Sequence, residues 1–365
     1  MVEGGPISTD MNMNISRYYP VPPLPASSPA PNISSLDVGS ISELAAQCWA
    51  HYEHDDVEAS SSSQHTARRR HREHRHSLYL GSLGPCAYLR YRLAKSLSWS
   101  NDRDDKCRLL FDASTAVEHV LSCHPLQRNM RITLLEGERV GALALFAAIH
   151  SSLEFIEGTT STQKLSDSKS ELLDIGTRLV QNLSESECEV LYGRAGYLHA
   201  IALVRSETGD VEFGRPLVEQ IVRVIIKEGE RNAQAARTRS DVGGTLSLLW
   251  KWHNKAYLGA IHGVVGILYT LLCFIDEVST IEGAIHKIKM TLAALNGMCY
   301  SSSDNLRSSI GSERDELVHL CHGAPGHILC LVKAYEVTLE AYYLERADEI
   351  ARSVICRRGL LKKGT

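Results

Sequence analysis

No two of the ten cysteines stand in a Cys-x-x-Cys pair; they are spread singly, from Cys48 to Cys356. No paired-cysteine metal or redox motif is therefore present, and a reduced, intracellular chain is the reading. The opening Met1-Val2-Glu3-Gly4-Gly5-Pro6 has no basic region followed by an apolar stretch, so no signal peptide is read. Valine at position 2 excludes N-myristoylation of this terminus. The longest apolar run, Val264 to Ile275, is 12 residues and ends at Asp276, too short to cross a bilayer. A formal net charge of −4 gives no bulk electrostatic case for nucleic acid or an anionic membrane. A soluble, cytoplasmic protein follows from these absences. No segment alternates like a strand between turn residues, which leaves an all-α class.

Proline is scarce beyond residue 31: seven of the eleven lie within the first 31 residues. Residues 1–40 therefore read as a disordered Pro/Ser-rich leader, with a proline ligand for an aromatic groove as the alternative. From Ile41 the pattern turns helical, and 41–365 reads as one domain. A polar insertion at 55–76 carries the basic run Arg68-Arg69-Arg70-His71-Arg72-Glu73-His74-Arg75-His76. Nucleic-acid contact, metal binding by its histidines and a plain solvated face compete for it. No aromatic side chain interleaves the arginines, which favours the solvated face.

What the chain does have is a 44% apolar composition, enough for a sizeable core, and a repeat. Five short glycine motifs begin at Gly81, Gly137, Gly193, Gly263 and Gly323, spaced 56, 56, 70 and 60 residues apart. Each precedes an apolar, helix-like run. Helices are predicted at about 85–98, 111–124, 140–155, 167–182, 197–206, 214–229, 243–252, 264–276, 281–298, 326–339 and 341–356. Leu217, Ile221, Val224 and Ile225 have the spacing of one buried face, and Pro216 sits where a first turn tolerates it. A polar-faced helix, a glycine turn and an apolar helix form the recurring unit, as in the outer and inner helices of a ring. Near-regular recurrence over one chain favours a single array over separate domains. The glycines are expected to supply positive φ and close helix approach, and to leave the first N–H groups of each following helix open to anions or thiolates.

The last two motifs adjoin reactive side chains. In Leu320-Cys321-His322-Gly323-Ala324-Pro325-Gly326, a thiol beside a helix N-terminus is expected to ionise easily, and zinc binds thiolate. Cys321, with His322 as a second donor, is thus a metal-ligand candidate, and a buried structural cysteine remains the competing reading. In Gly259-Ala260-Ile261-His262-Gly263, His262 is placed to act as a general acid or base, or to hydrogen-bond its own turn.

Taken together, Gly81 to Leu89, Thr133 to Leu145, Leu191 to Leu198, Gly259 to Gly266, Leu320 to Gly326 and Gly359 to Gly364 resemble the eukaryotic lanthionine synthetase C-like (LanC-like) family, over about residues 80–365. The resemblance implies an α/α toroid of seven helical hairpins around a zinc ion. It implies glutathione, or another thiol or dehydroamino-acid peptide, as partner, with addition of the thiol to dehydrated residues. Peripheral plasma-membrane association is compatible with it. It places Cys321 as a zinc ligand and His262 as the acid/base.

The departures from the family pattern concern the same chemistry. The family's Gly-Leu-Cys-His-Gly motif, which supplies the other two zinc ligands, would follow Leu360-Leu361-Lys362-Lys363-Gly364, but the sequence stops at Thr365. Five of seven repeats are therefore expected, with an incomplete zinc site, reduced stability and C-terminal truncation. Leu320 stands where relatives carry tryptophan, Ile261 replaces a small residue, Glu136 stands where many have cysteine, and Gly137 to Gly141 holds one extra residue. Three readings follow. They are a thiol-adding enzyme, a non-catalytic glutathione-binding or regulatory scaffold, and, ranked last, a carbohydrate-active toroid, which would need two carboxylates flanking a cleft. No carboxylate stands at a glycine motif with a partner, except Glu136 and Glu138.

Overall fold

The computed structural model describes residues 76–97, 102–127, 130–158, 163–182, 187–238 and 245–358. The leader, the predicted helix start at Ile41, the insertion up to residue 75 and the Gly359–Gly364 stretch lie outside them. Every described element is helical. The remaining backbone pairing there consists of isolated bridges such as Tyr257 with Ser309.

The helices divide into two layers. The inner ones start at the glycine motifs. α1 (Leu89–Ser96) continues a π-helical turn at Gly84–Tyr88, and α3 (Glu138–Glu157), α5 (Arg194–Thr208), α7 (Val264–Cys273) and α10 (Ala324–Thr338) follow at the other four. The outer ones are α2 (Arg103–Cys123), α4 (Gln163–Asn182), α6 (Arg215–Thr238), α9 (Ala284–Asn296) and α11 (Ala341–Ile350), with the short α8 (Ile275–Ser279) between α7 and α9. α3 packs on α5, α5 on α7 and α7 on α10, while α2, α4, α6 and α11 back onto their inner neighbours. The result is an arc of α/α hairpins.

Composition explains the layering. α3 buries an unbroken run from Val140 to Ile149, as a helix covered on all sides must. By length and hydropathy its Glu138–Ile156 stretch could also cross a membrane, but 67% of that stretch is already covered inside the fold. α6 instead buries Leu217, Val218, Ile221, Val222, Ile225 and Ile226 and exposes Arg223 and Lys227. One face of it is outside.

The second glycine of each motif sets how closely the layers meet. A Cβ on Gly196, Gly266 or Gly326 would lie 2.0, 2.0 or 2.5 Å from the carbonyl oxygen of Val190, Ala260 or Leu320, six residues upstream in each case. In the longer Gly137–Gly141 motif the second glycine lies instead on Leu134, seven upstream, at 2.8 Å. The extra residue is absorbed in the turn. Close approach, not positive φ, is thus what these positions require. Gly193 and Gly263 have extended backbone, and Gly323 alone, with φ +104°, needs glycine for its conformation.

Three further expectations are corrected. The first N–H groups of α5, α7 and α10 are not left open. Arg194 and Ala195 donate to the carbonyls of Glu187 and Cys188, Val264 and Val265 to those of Tyr257 and Leu258, and Ala324 to the Asn305 side chain. In these three repeats groups from before the motif cover the helix end and satisfy it. The predicted helix at 243–252 is also absent over its described part. There Leu249 N–H donates to the Gly229 carbonyl and the Trp250 indole donates to the Ile225 carbonyl at 2.8 Å, so an apolar stretch is pinned as a loop along α6. Gly229 lets the Trp250 ring lie directly on the helix. The single predicted helix 264–276 breaks at Phe274, whose buried ring lies under the Arg205 guanidinium.

Candidate active site

The loops that precede the inner helices are stitched edge to edge. Tyr79 N–H donates to Leu135, Leu134 N–H to Gly196, and Val190 N–H to Ile261, each at 3.0 Å. At the next step Gly259 seats the Cys321 carbonyl, with room for no side chain. This belt brings residues from all five repeats to one end of the inner layer.

His262 lies in the belt and does not bond its own turn. Its Nδ1 lies 2.6 Å from Oε2 of Glu189, a residue 73 positions earlier. The same carboxylate accepts the backbone N–H groups of Leu191, at 3.0 Å, and Tyr192. Glu189 is 2% exposed and His262 17%. Three N–H groups thus converge on one enclosed carboxylate. It accepts the Nδ1–H, which leaves Nε2 as the nitrogen that exchanges protons.

Aromatic rings fix the imidazole plane. Trp252 stacks on His262 with centroids 4.1 Å apart and planes 3° from parallel. Tyr192 lies parallel to both at about 6 Å. The Tyr192 hydroxyl is pushed above its usual range by burial and then by the Glu136 charge. The Arg131 guanidinium covers the Tyr192 ring and pairs with Glu136 at 2.7 Å. Glu136 is wholly buried in that pair, so it does not face a cleft as a glycosidase carboxylate would.

Cys321 is half-buried on the adjoining loop. Its Sγ lies 3.9 Å from Nδ1 of His319, and the turn closes through His319 N–H to the His322 carbonyl. The ring of His322 lies 6.0 Å from that of Tyr257, whose own ring is 6.2 Å from His262. His319, which sequence reading did not select, is therefore one neighbour of the Cys321 sulfur. Among the described residues no group of three His, Cys, Asp or Glu side chains is placed to hold a metal ion. The described residues around Cys321 therefore do not make up a complete zinc centre. The other nearby thiol, Cys188, is buried, which pushes its pKa up to about 12 and keeps it protonated.

Glu189 was also missed by sequence reading, although the repeat holds a signal for it. When the motifs are aligned on their first glycines, Thr133, Glu189 and Gly259 share the position four residues upstream. Each faces the next loop of the belt. Thr133 Oγ1 donates to the Leu191 carbonyl, Glu189 accepts from His262, and Gly259 admits Cys321.

The sequence profile of the lanthionine synthetase C-like protein family matches residues 72–365. The chain is 31% identical over 235 residues to a Danio rerio protein named glutathione S-transferase LANCL1, covering 64% of this chain and 54% of that one. It is 31% identical over 175 residues to the LanC-like protein GCL1 of Arabidopsis thaliana, covering 48% of this chain and 38% of that one. The chain therefore spans about half or less of the length of these relatives. Among solved structures it is similar to nisin cyclase, with a TM-score of 0.60 at 15% identity over 90% of this chain and 77% of the other.

Proposed function

Because this chain belongs to the lanthionine synthetase C-like family, we propose that it adds the thiol of glutathione or a related thiol peptide to a dehydroamino-acid residue, with His262 as the proton carrier. The His262–Glu189 pair carries this reading. His262 Nε2 takes the thiol proton. The sulfur forms a bond to the β carbon as the C=C π bond breaks toward the α carbon. The proton then passes from Nε2 to the α carbon. Atoms and electrons balance with no oxidant, reductant or leaving group. Glu189 holds the tautomer that leaves Nε2 available, and Trp252 holds the ring plane. Cys321 is kept as the candidate metal ligand; a full zinc centre would need donors beyond the described residues.

The test is incubation of the full chain with glutathione and a dehydroalanine-containing peptide, read by mass spectrometry. Addition of one intact glutathione is expected, and His262→Ala should slow it by about 10²–10⁴-fold. Addition at the uncatalysed rate by the wild-type chain overturns the reading. The partial donor set at Cys321 favours a second reading, a glutathione-binding scaffold without turnover, which predicts binding of glutathione and no adduct.

A further inference from the structure

A cleft of about 630 Å³ lies beside the candidate site, between α6 and the loop of residues 245–257. Its volume is that of small-molecule sites, roughly 300–1,000 Å³. Trp252 and Tyr192, the rings parallel to His262, form the wall nearest the imidazole. Glu228, 6% exposed and bonded to Arg231 and Asn232, closes another side.

Two charges of opposite sign line this cleft without pairing. Lys251 has no carboxylate partner and Glu187 no cationic partner among the described residues. Lys251 and Glu187 thus present one positive and one negative side chain to the same cleft, the arrangement that complements a ligand end carrying both charges. The facing rim is a fixed two-residue turn. Trp252 and Lys255 exchange both backbone hydrogen bonds at 3.0 Å, and His253 and Asn254 between them take φ of +48° and +60°. Both residues thus have the left-handed backbone of a two-residue hairpin turn, which His and Asn adopt more readily than most side chains. The His253 ring meets Trp252 edge-on at 4.3 Å, which ties the turn to the aromatic wall.

We propose that this cleft binds the zwitterionic α-amino-acid end of the thiol peptide, with Lys251 taking its α-carboxylate and Glu187 its α-ammonium. The inference rests on the thiol-addition reading for its ligand, and it adds the part of glutathione that is recognised and the residues that recognise it. The thiol end of the peptide then lies toward Trp252 and His262.

The test is calorimetric titration of the full chain with S-methylglutathione, which cannot react, so that binding is read apart from activity. Lys251→Glu and Glu187→Lys are each expected to weaken binding by about tenfold. An analogue lacking the α-amino group should lose the sensitivity to Glu187→Lys and keep that to Lys251→Glu. In turnover, Lys251→Glu should slow addition of glutathione more than addition of N-acetylcysteamine, a thiol with no charged end. Thermal melts of both variants report whether they fold. Equal affinities of folded wild type and variants for S-methylglutathione overturn the subsite while leaving thiol addition standing. Charge-dependent binding without any adduct retains the subsite and overturns the catalytic reading.

Discussion

His262 and Glu189 stand 73 residues apart in sequence and 2.6 Å apart in space. The carboxylate is enclosed, and it serves two backbone N–H groups as well as the imidazole. Glu189→Gln keeps the size of the side chain and an acceptor oxygen but no longer favours one tautomer of His262. The expected result is a loss of about 10–100-fold in kcat for thiol addition with little change in KM, since partners of this kind act by orienting the functional imidazole. Glu189→Asp should recover part of the loss. An unchanged kcat in a folded Glu189→Gln chain would make the pair structural only.

The glycine motifs predict an uneven response to one chemical change. In Gly266→Ala the new methyl would lie 2.0 Å from the Ala260 carbonyl oxygen, which is backbone and cannot swing aside. A loss of about 1–3 kcal/mol or more is expected from the forced displacement. Gly297, at the end of α9, has ordinary helical backbone, and its nearest atom would be 3.4 Å away. Gly297→Ala should be neutral or stabilising by up to about 1 kcal/mol, through the reduced freedom of the unfolded chain. Urea midpoints of the two variants check the contrast; equal effects would mean that close approach is not what the motif glycines provide.

These cases also show what the sequence could and could not disclose. The inner helices were legible because a steric demand recurs: a glycine must stand where a helix meets a carbonyl six or seven residues back. The outer helices were legible because one side faces water, as the Leu217 to Ile226 pattern of α6 shows. His262 drew attention through its motif, while Glu189 did not, because its partner comes from a neighbouring loop 73 residues away. Residues 245–252 misled for a related reason. Their apolar content suits a helix, but Gly229 on α6 offers Trp250 a seat that a helical backbone could not reach. The approach of His319 to Cys321 depends on how the turn closes, which composition does not report.

Asn305 holds the Cys321 loop in place. It is 1% exposed; its Oδ1 accepts the first N–H of α10 at Ala324, and its Nδ2 donates to Asp315 and to the Leu317 carbonyl. Burial alone would raise the Asp315 carboxyl, but hydrogen bonds from Ser303, Arg358 and Asn305 hold it below its usual range. Asn305→Ala removes a helix cap and strands buried groups, at a cost of about 1–3 kcal/mol. The loop from Leu317 to Gly323 should loosen with it. Alkylation of Cys321 by iodoacetamide, followed by peptide mass mapping, should be faster in the variant under conditions where the chain stays folded. An unaltered rate at Cys321 would show that Asn305 caps α10 without positioning the thiol.

Stability should fall on mild acidification, with His327 as a principal cause. This inner-helix residue is fully buried, and neither ring nitrogen has a hydrogen-bond partner among the described residues. Burial pushes its pKa down to about 4. Burial does the same to His199, which still bonds Thr270 Oγ1 at 3.0 Å and keeps some exposure, so His327 is the cleaner probe. In the unfolded chain a histidine takes up its proton near pH 6.5, whereas folded His327 stays neutral down to about pH 4. The unfolded state therefore binds more protons across that window. Stability is lost as pH falls from about 6.5 toward 4, at up to about 1.4 kcal/mol per pH unit for this residue, and is restored on return to neutral pH. Carboxylates contribute below about pH 5, so the measurement is the difference between wild type and His327→Phe, which keeps a ring and removes the titration. Urea midpoints followed from pH 7 to pH 5 should fall less steeply in the variant, whatever its stability at pH 7. Parallel curves would place the acid sensitivity elsewhere in the fold.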